Sequence, residues 1–243
     1  MPIITVQGAT QVFSGRTIFK DVSFNVEAGE VFVILGGSGC GKSTLMKQMI
    51  GLLTPTAGEI TIEGHSVRSE IDAVRRCIGV MFQSGALLGS MNLLDNVALP
   101  LSVFTDLPPS ARIEIARIKL ALVGLGDAAL RLPSEISGGM VKRAAIARAL
   151  ALDPPVLLLD EPSAGLDPVT SAGLDHLILQ LRAALGTTFV VVTHELASIM
   201  AIADRCAMLD AKAQGLIALG SPAELAQNAT QPMVRAFFHR EML

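Results

Sequence analysis

Gly36-Gly37-Ser38-Gly39-Cys40-Gly41-Lys42-Ser43 is the stretch that decides the fold. It fits G-x-x-x-x-G-K-S/T, the spacing of a phosphate-binding loop, a pattern that carries weight only between a strand and a helix. Both neighbours are legible. Val31-Phe32-Val33-Ile34-Leu35 is an apolar, β-branched run of the kind parallel strands bury on both faces. Thr44 to Ile50 places Leu45, Met46, Met49 and Ile50 at helical spacing, and Gly51 suits the C-terminal end. Glycines let the backbone curl so that successive N–H groups converge on one anion, and the helix adds its positive end. Lys42 then reaches the β- and γ-phosphates, and the Ser43 hydroxyl holds Mg²⁺. The expected nucleotide contacts are Gly36, Gly37, Ser38, Gly39, Cys40, Gly41, Lys42, Ser43 and Thr44.

The 243 residues allow one large or two small domains with an ample core. Apolar residues make up 51% and charged ones 17%, so apolar surface is available for a partner. A formal net charge of -3 gives no electrostatic reason to expect nucleic acid. Met1 to Gly8 lacks the basic-then-apolar order of a signal peptide. The longest uncharged stretch, about Cys77 to Leu94, is too polar and too broken by glycine to span a bilayer. Cys40, Cys77 and Cys206 have neither metal-ligand nor disulfide spacing, which fits a reducing cytoplasm. Cys40 reads as a small filler, with oxidation sensitivity as the alternative.

Outward from the loop, Ile3 to Val12 and Val22 to Val26 read as strands joined through Ser14-Gly15, an antiparallel β layer beside the main sheet. With no Tyr or Trp present, Phe13 is the candidate to stack on an adenine ring, and Phe19 is its rival. Glu59 to Glu63 and Ile78 to Phe82 read as further strands. From Ser84 to about Asp153 no strand pattern occurs; Arg112 to Val123 is helix-like, and Pro100, Pro108, Pro109 and Pro133 are expected to break the region into short helices. Strand signals return at Val156 to Leu159. Asp167-Pro168 opens a helix with Leu174, Leu177, Ile178, Leu181 and Leu185 on one face and Gly186 as its stop. Thr188 to Val192 is a buried strand, Ala207 to Leu209 and Leu216 to Leu219 are strand candidates, and Ser221-Pro222-Ala223-Glu224 is a capping box.

Several groups fall where ligands gather in open α/β sheets, beyond the carboxyl ends of strands. Asp160 is expected to hold Mg²⁺ through water, and Glu161 to polarise the attacking water as general base. Ser137-Gly138-Gly139 precedes a helix from about Met140 to Leu152; it reads as an N-cap or as a second anion site. His194 ends a buried strand and either supports the structure or hydrogen-bonds the γ-phosphate. Gln83, also after a strand, either supports the turn or touches Mg²⁺ or the attacking water.

In this order the phosphate loop, Gln83, Ser137-Gly138-Gly139, Asp160-Glu161, Asp167 and His194 resemble the nucleotide-binding subunit of ABC transporters. There they are Walker A, Q-loop, signature, Walker B, D-loop and switch histidine, and the resemblance covers nearly the whole chain. It implies a P-loop nucleoside-triphosphatase (RecA-like) α/β core with an N-terminal antiparallel β layer and an inserted α-helical subdomain. One domain spans 1-243, with 1-83 and 156-243 as core and 84-155 as the helical insertion. It also implies ATP and Mg²⁺ as cofactors and a head-to-tail homodimer sandwiching two ATP molecules. Each ATP meets Lys42, Ser43, Gln83, Asp160, Glu161 and His194 of one copy and Ser137 to Gly139 of the other. The usual L-S-G-G-Q signature is here Ile136-Ser137-Gly138-Gly139-Met140. That methionine, with Phe82-Gln83-Ser84-Gly85-Ala86-Leu87-Leu88 and Met91 to Val97, is similar to the ATPases of Mla-type phospholipid transporters. The implied partners are an integral membrane permease and an MCE-domain lipid-binding protein. The implied location is the cytoplasmic side of the inner membrane, held there by the permease. The apolar segment Gly85 to Leu94 either faces that permease or belongs to the helical core. The alternatives are an ABC subunit for another cargo, or a soluble ABC-type ATPase on DNA or ribosomes. The latter expects a coiled coil, a second nucleotide domain or a basic patch.

Overall fold

Strands β1 (Pro2–Phe13) and β2 (Arg16–Glu27) form the expected hairpin, turning at Ser14 and Gly15, both at positive φ. The structure, a computed structural model, describes residues 2–241. The hairpin is longer at both ends than its apolar alternation announces. With β4 (Ala57–Ile62) and β5 (His65–Ser66) it makes a four-stranded antiparallel sheet in the order β2-β1-β4-β5.

The central sheet has six strands in the order β10-β9-β3-β8-β7-β6. These are β3 (Val31–Gly36), β6 (Ile78–Met81), β7 (Val156–Asp160), β8 (Thr188–Val192), β9 (Arg205–Asp210) and β10 (Gly215–Gly220). Every pairing is parallel except the β10–β9 edge. Because side chains alternate along a strand, Val31, Val33 and Leu35 face one side of this sheet and Phe32 and Ile34 the other, all fully buried. Leu157, Leu159, Phe189 and Val191 join the first side. This burial on both faces is why β3, β7 and β8 read as continuous apolar runs.

On the second side lie the antiparallel sheet and α1 (Lys42–Met49), which contributes Leu45, Met46 and Met49. On the first lie α3 (Leu93–Phe104), α4 (Pro109–Leu122), α5 (Gly138–Ala149), α6 (Pro168–Leu185) and α7 (Leu196–Ile202). Helices α3 to α5 share one continuous core with the sheet, to which Leu93, Val97, Leu120 and Ile146 belong together with Leu157 and Leu159. At Gly79, a side chain would stand 2.1 Å from the Ala149 carbonyl oxygen, so β6 and the end of α5 touch backbone to backbone.

The structure corrects two expectations. Pro100 does not break the helical region but lies inside α3. An interior proline costs about 3 kcal/mol, and here the buried row Leu93, Leu94, Val97, Ala98 and Leu101 holds the helix across it. Leu185 does not share the buried face of α6: Leu174, Leu177, Ile178 and Leu181 are buried, whereas Leu185 in the last turn is exposed. Three helices carry no announcement in the sequence reading: α2 (Ile71–Cys77), α7, and the terminal α9 (Pro232–His239), which follows α8 (Pro222–Asn228). The expected capping box at Ser221 and Glu224 is present at the start of α8. Among the described residues, no helix is long and apolar enough to cross a membrane.

Candidate functional site

The glycine loop is shaped by what lies beneath it. At Gly36, φ is +145° and a Cβ would fall 2.2 Å from the Leu209 carbonyl oxygen of β9. At Gly41, φ is +101° and a Cβ would fall 2.6 Å from a carbon of the Phe19 ring. A Cβ on Gly37 or Gly39 would meet nothing within 4 Å, so the loop is packed from below and open above. Lys42 Nζ donates to the carbonyls of Gly36 (2.8 Å) and Gly37 (3.2 Å), which holds the ammonium over the loop. Cys40 is buried, and desolvation raises its thiol pKa. It therefore sits as an inert filler beneath the cradle. Thr44 is half-buried in the first turn of α1.

The adjacent strands β7 and β8 bring three polar groups to the same end of the sheet. Asp160 closes β7, and its Oδ1 accepts from Ser43 Oγ at 3.5 Å, a long contact. Glu161 follows with φ at +46°, which a non-glycine residue adopts at a cost of about 1–3 kcal/mol. Its N–H donates to the Val192 carbonyl at 2.8 Å, pinning the turn to the end of β8. Its Oε1 lies 2.8 Å from Nδ1 of His194. With the carboxylate accepting, Nδ1 is the donor and Nε2 is left for another partner. Glu161 Oε2 is buried and has no protein partner. Burial, and then the charge of Glu161, push the Asp160 carboxyl above its ordinary value. Neighbouring carboxylates in this state favour a cation. Ser43 and Asp160 offer the hard oxygen donors that Mg²⁺ takes. The open cradle under Lys42 fits a polyphosphate. The residues present therefore fit both groups.

Gln83 lies two residues past the last residue of β6, as Glu161 lies two past Leu159, and Met81 is in register with Leu159. The Gln83 side chain is exposed, while its carbonyl accepts from Lys142 Nζ on α5. Ser137 caps α5, its Oγ accepting from the Met140 N–H at 3.3 Å. The turn it begins rests on the start of α6: a Cβ on Gly138 would meet Leu166 at 3.8 Å, and one on Gly139 would meet Thr170 at 2.6 Å. Asp167 caps α6 through the Val169 and Thr170 N–H groups. Ser137 and Gly138 are exposed, as Phe13 is at the tip of the first hairpin. Phe19, the rival to Phe13, is fully buried under Gly41 and belongs to the core.

The apolar segment 85–94 divides. Leu93 and Leu94 are buried, Leu87 packs half-buried on the same core, and Leu88, Gly89 and Ser90 are exposed. The sequence reading did not single out Lys142 or Arg148. Their signal is faint, two of the three cations in the largely buried alanine-rich run of α5.

A glycine cradle on the central strand, with paired carboxylates on a nearby parallel strand, defines a P-loop nucleotide-binding protein. Residues 19–164 match the ABC transporter family. The chain is 45% identical over 240 residues to the probable ribonucleotide transport ATP-binding protein mkl of Mycobacterium tuberculosis, covering 97% of this chain and 66% of that protein. It thus spans 66% of the length of that relative and 68% of the corresponding protein of Mycobacterium leprae. It is 43% identical over 226 residues to the intermembrane phospholipid transport system ATP-binding protein MlaF of Escherichia coli, covering 91% of this chain and 83% of that one. Among solved structures, cbiO1 from Clostridium perfringens, part of the ABC transporter complex cbiONQ, superposes with a TM-score of 0.85 at 30% identity, covering 93% of this chain and 91% of the other. The dimeric post-hydrolysis cassette MJ0796 bound to ADP and Pi superposes with a TM-score of 0.80 at 30% identity, covering 90% and 98%. The chain belongs to the ABC transporter family.

Proposed function

We propose that the chain is the ATP-hydrolysing subunit of a membrane transporter whose cargo is phospholipid. The observation that carries the ATPase reading is the strained Glu161, held between the end of β8 and His194 with one buried carboxylate oxygen free, beside the Asp160–Ser43 pair. MgATP bound in the cradle supplies a phosphoryl group whose charge the metal neutralises. Lys42 and the loop N–H groups would hold the β- and γ-phosphates, and Ser43 and Asp160 would hold the metal. Gln83 would reach toward the metal, Glu161 would accept the proton of the attacking water, and His194 would orient Glu161. Phe13 stacks on the adenine.

Residues Ser137 to Gly139 lie at the start of α5 and make no hydrogen bond to the glycine loop among the described residues. They serve the nucleotide of a second copy, so the active form is a head-to-tail homodimer around two ATP molecules. The dimeric cassettes similar to this chain support that reading. Residues 84-155 act as a helical subdomain within a single cassette over 1-243. They present exposed Leu88 to an integral permease at the cytoplasmic side of the inner membrane, with an MCE-domain protein completing the complex. The phospholipid cargo rests on the name of the Escherichia coli relative and on Met140 in the signature turn.

Phosphate release by the purified chain with MgATP, alone and with its permease, tests the first part. Activity that Lys42→Ala abolishes supports it, and no activity in either setting overturns it. Lipid extraction from the assembled complex tests the cargo. Retained phospholipid supports the reading, while ribonucleotide transport by the same complex, the cargo in the mycobacterial relative's name, replaces it.

A further inference from the structure

The segment that leaves β6 is gripped by α5 at three carbonyls. Lys142 Nζ donates to Gln83. Arg148 donates through Nη1 to Ala86 at 2.7 Å and through Nη2 to Gly85 at 2.8 Å. Between these cations the contact is tight: Gly85 has φ of +78°, and a Cβ there would lie 2.9 Å from Val141 and 3.6 Å from Ala145. Val141, Ala145 and Arg148 follow each other at helical spacing, so one stripe of α5 is fitted to this turn.

Lys142 is an expensive way to satisfy a carbonyl. It is 6% exposed, and no carboxylate pairs with it among the described residues. Burial lowers its pKa, and only the fields of Glu161 and Asp160 oppose that effect. An apolar residue of the same length would remove the desolvated charge, at the cost of the donor that the Gln83 carbonyl now has. What the lysine adds is a directional tie between Gln83 and the helix that begins at Ser137-Gly138-Gly139. Gln83 is bonded through the chain to β6, and β6 is registered with β7, whose end carries Asp160.

We propose that Lys142 is a positioning residue for hydrolysis: it fixes the Gln83 backbone to α5, so the reach of the Gln83 side chain toward the metal and attacking water follows that helix. This rests on the ATPase reading above. Movement of α5, whose start meets the nucleotide of a second copy, is thereby carried to Gln83 itself by the ammonium–carbonyl bond, beside the Arg148 bonds that hold Gly85 and Ala86. Nucleotide affinity, set by the glycine loop on the other side of the sheet, is left alone.

The test uses the full chain in four forms: parent, Lys142→Met, Gln83→Ala and the double variant. Lys142→Gln is added as the variant that keeps a donor without the charge. Melting, MgATP affinity and steady-state hydrolysis are measured for each. Lys142→Met is expected to melt near the parent and to bind MgATP within about twofold, with kcat down about 10- to 100-fold, the range for misplacing a group by an ångström or less. Lys142→Gln should recover most of that loss. Because Lys142 acts through Gln83, Lys142→Met should cost little further in the Gln83→Ala background, a coupling that plain loss of packing does not produce. Should Lys142→Met not fold, the same cycle is run with Lys142→Leu, which also removes the donor. Parental kcat in the Lys142 variant, or losses that multiply independently in the double variant, overturns the proposal. A parent with no hydrolysis at all refutes instead the ATPase reading on which it stands.

Discussion

Glu161→Gln separates binding from chemistry at this site. The substitution keeps the shape of the side chain, and its amide oxygen can still meet His194 Nδ1, now 2.8 Å from Oε1. The Val192 bond to the backbone N–H, which holds residue 161 at positive φ, does not involve the side chain. What is lost is the charge, and the second oxygen becomes an NH₂ group that cannot take a proton from water. A general base contributes about 10²–10⁴ in rate, equivalent to roughly 3–5 kcal/mol of barrier. Lys42, Ser43 and the loop N–H groups are untouched, so MgATP should still bind. The variant should therefore hold ATP and accumulate as a dimer of doubled mass in light scattering. Asp160→Asn should instead weaken Mg²⁺-dependent binding before any chemistry. Single-turnover hydrolysis and nucleotide retention in both variants decide the matter. Hydrolysis by Glu161→Gln near the parental rate, or simple loss of MgATP, would refute the assignment of the base.

Three further outcomes follow from the same geometry. The Asp160 carboxyl is raised by burial, so the folded state binds that proton more tightly than the unfolded chain; the resulting penalty is full above the folded pKa and fades as pH falls toward the ordinary 3.8. Without nucleotide, Asp160→Asn should melt above the parent at pH 7, with the gap closing toward pH 4; equal melting at pH 7 would show the charge to be compensated. Gly41→Ala forces a side chain onto a φ of +101° and against the buried Phe19 ring. It should cost about 1–3 kcal/mol in stability and lower MgATP affinity by displacing the loop, checked by melting and titration calorimetry; unchanged affinity would count against the cradle. Leu88→Asp should leave melting within about 0.5 kcal/mol of the parent while weakening assembly with the permease. Leu87→Asp, half-buried on the core, should destabilise the fold itself; the reverse pattern in co-purification and melting would exchange their roles.

The sequence was most readable where one local rule acts without competition. Strands β3, β7 and β8 are buried on both faces, so their apolar runs are unbroken and the polar groups that end them stand out. The caps at Ser137, Asp167 and Ser221 need only a residue type and a short spacing, and each occurs as read. Legibility failed where tertiary packing decides. Helix α2 buries Val74 alone among charged neighbours, leaving no periodic face to detect. Pro100 follows the packing of α3 rather than its own preference. Phe13 and Phe19 are equivalent as letters, and only the hairpin twist and the floor beneath Gly41 separate exposed from buried. The grip of Lys142 and Arg148 on residues 83–86 spans about 60 positions of chain, so no window along the sequence contains it.

The position of β3 in the central sheet has a consequence for biosynthesis. It lies between β8 and β9, made about 150 and about 170 residues later, and its own apolar side chains are fully buried between the layers on the two faces of the finished sheet. At about 5–20 residues per second, Val31 to Leu35 waits roughly 8–30 s on the ribosome before either neighbour exists. During that interval the nascent chain carries an unpaired, uncharged strand followed at once by the glycine loop. Such a segment is a natural target for chaperones that hold extended apolar chain, and it ties the yield of active protein to their supply. Once the late strands arrive, any ligand that binds only the completed cradle favours the finished sheet by mass action, so on the proposed ATPase reading the nucleotide would also draw folding to completion.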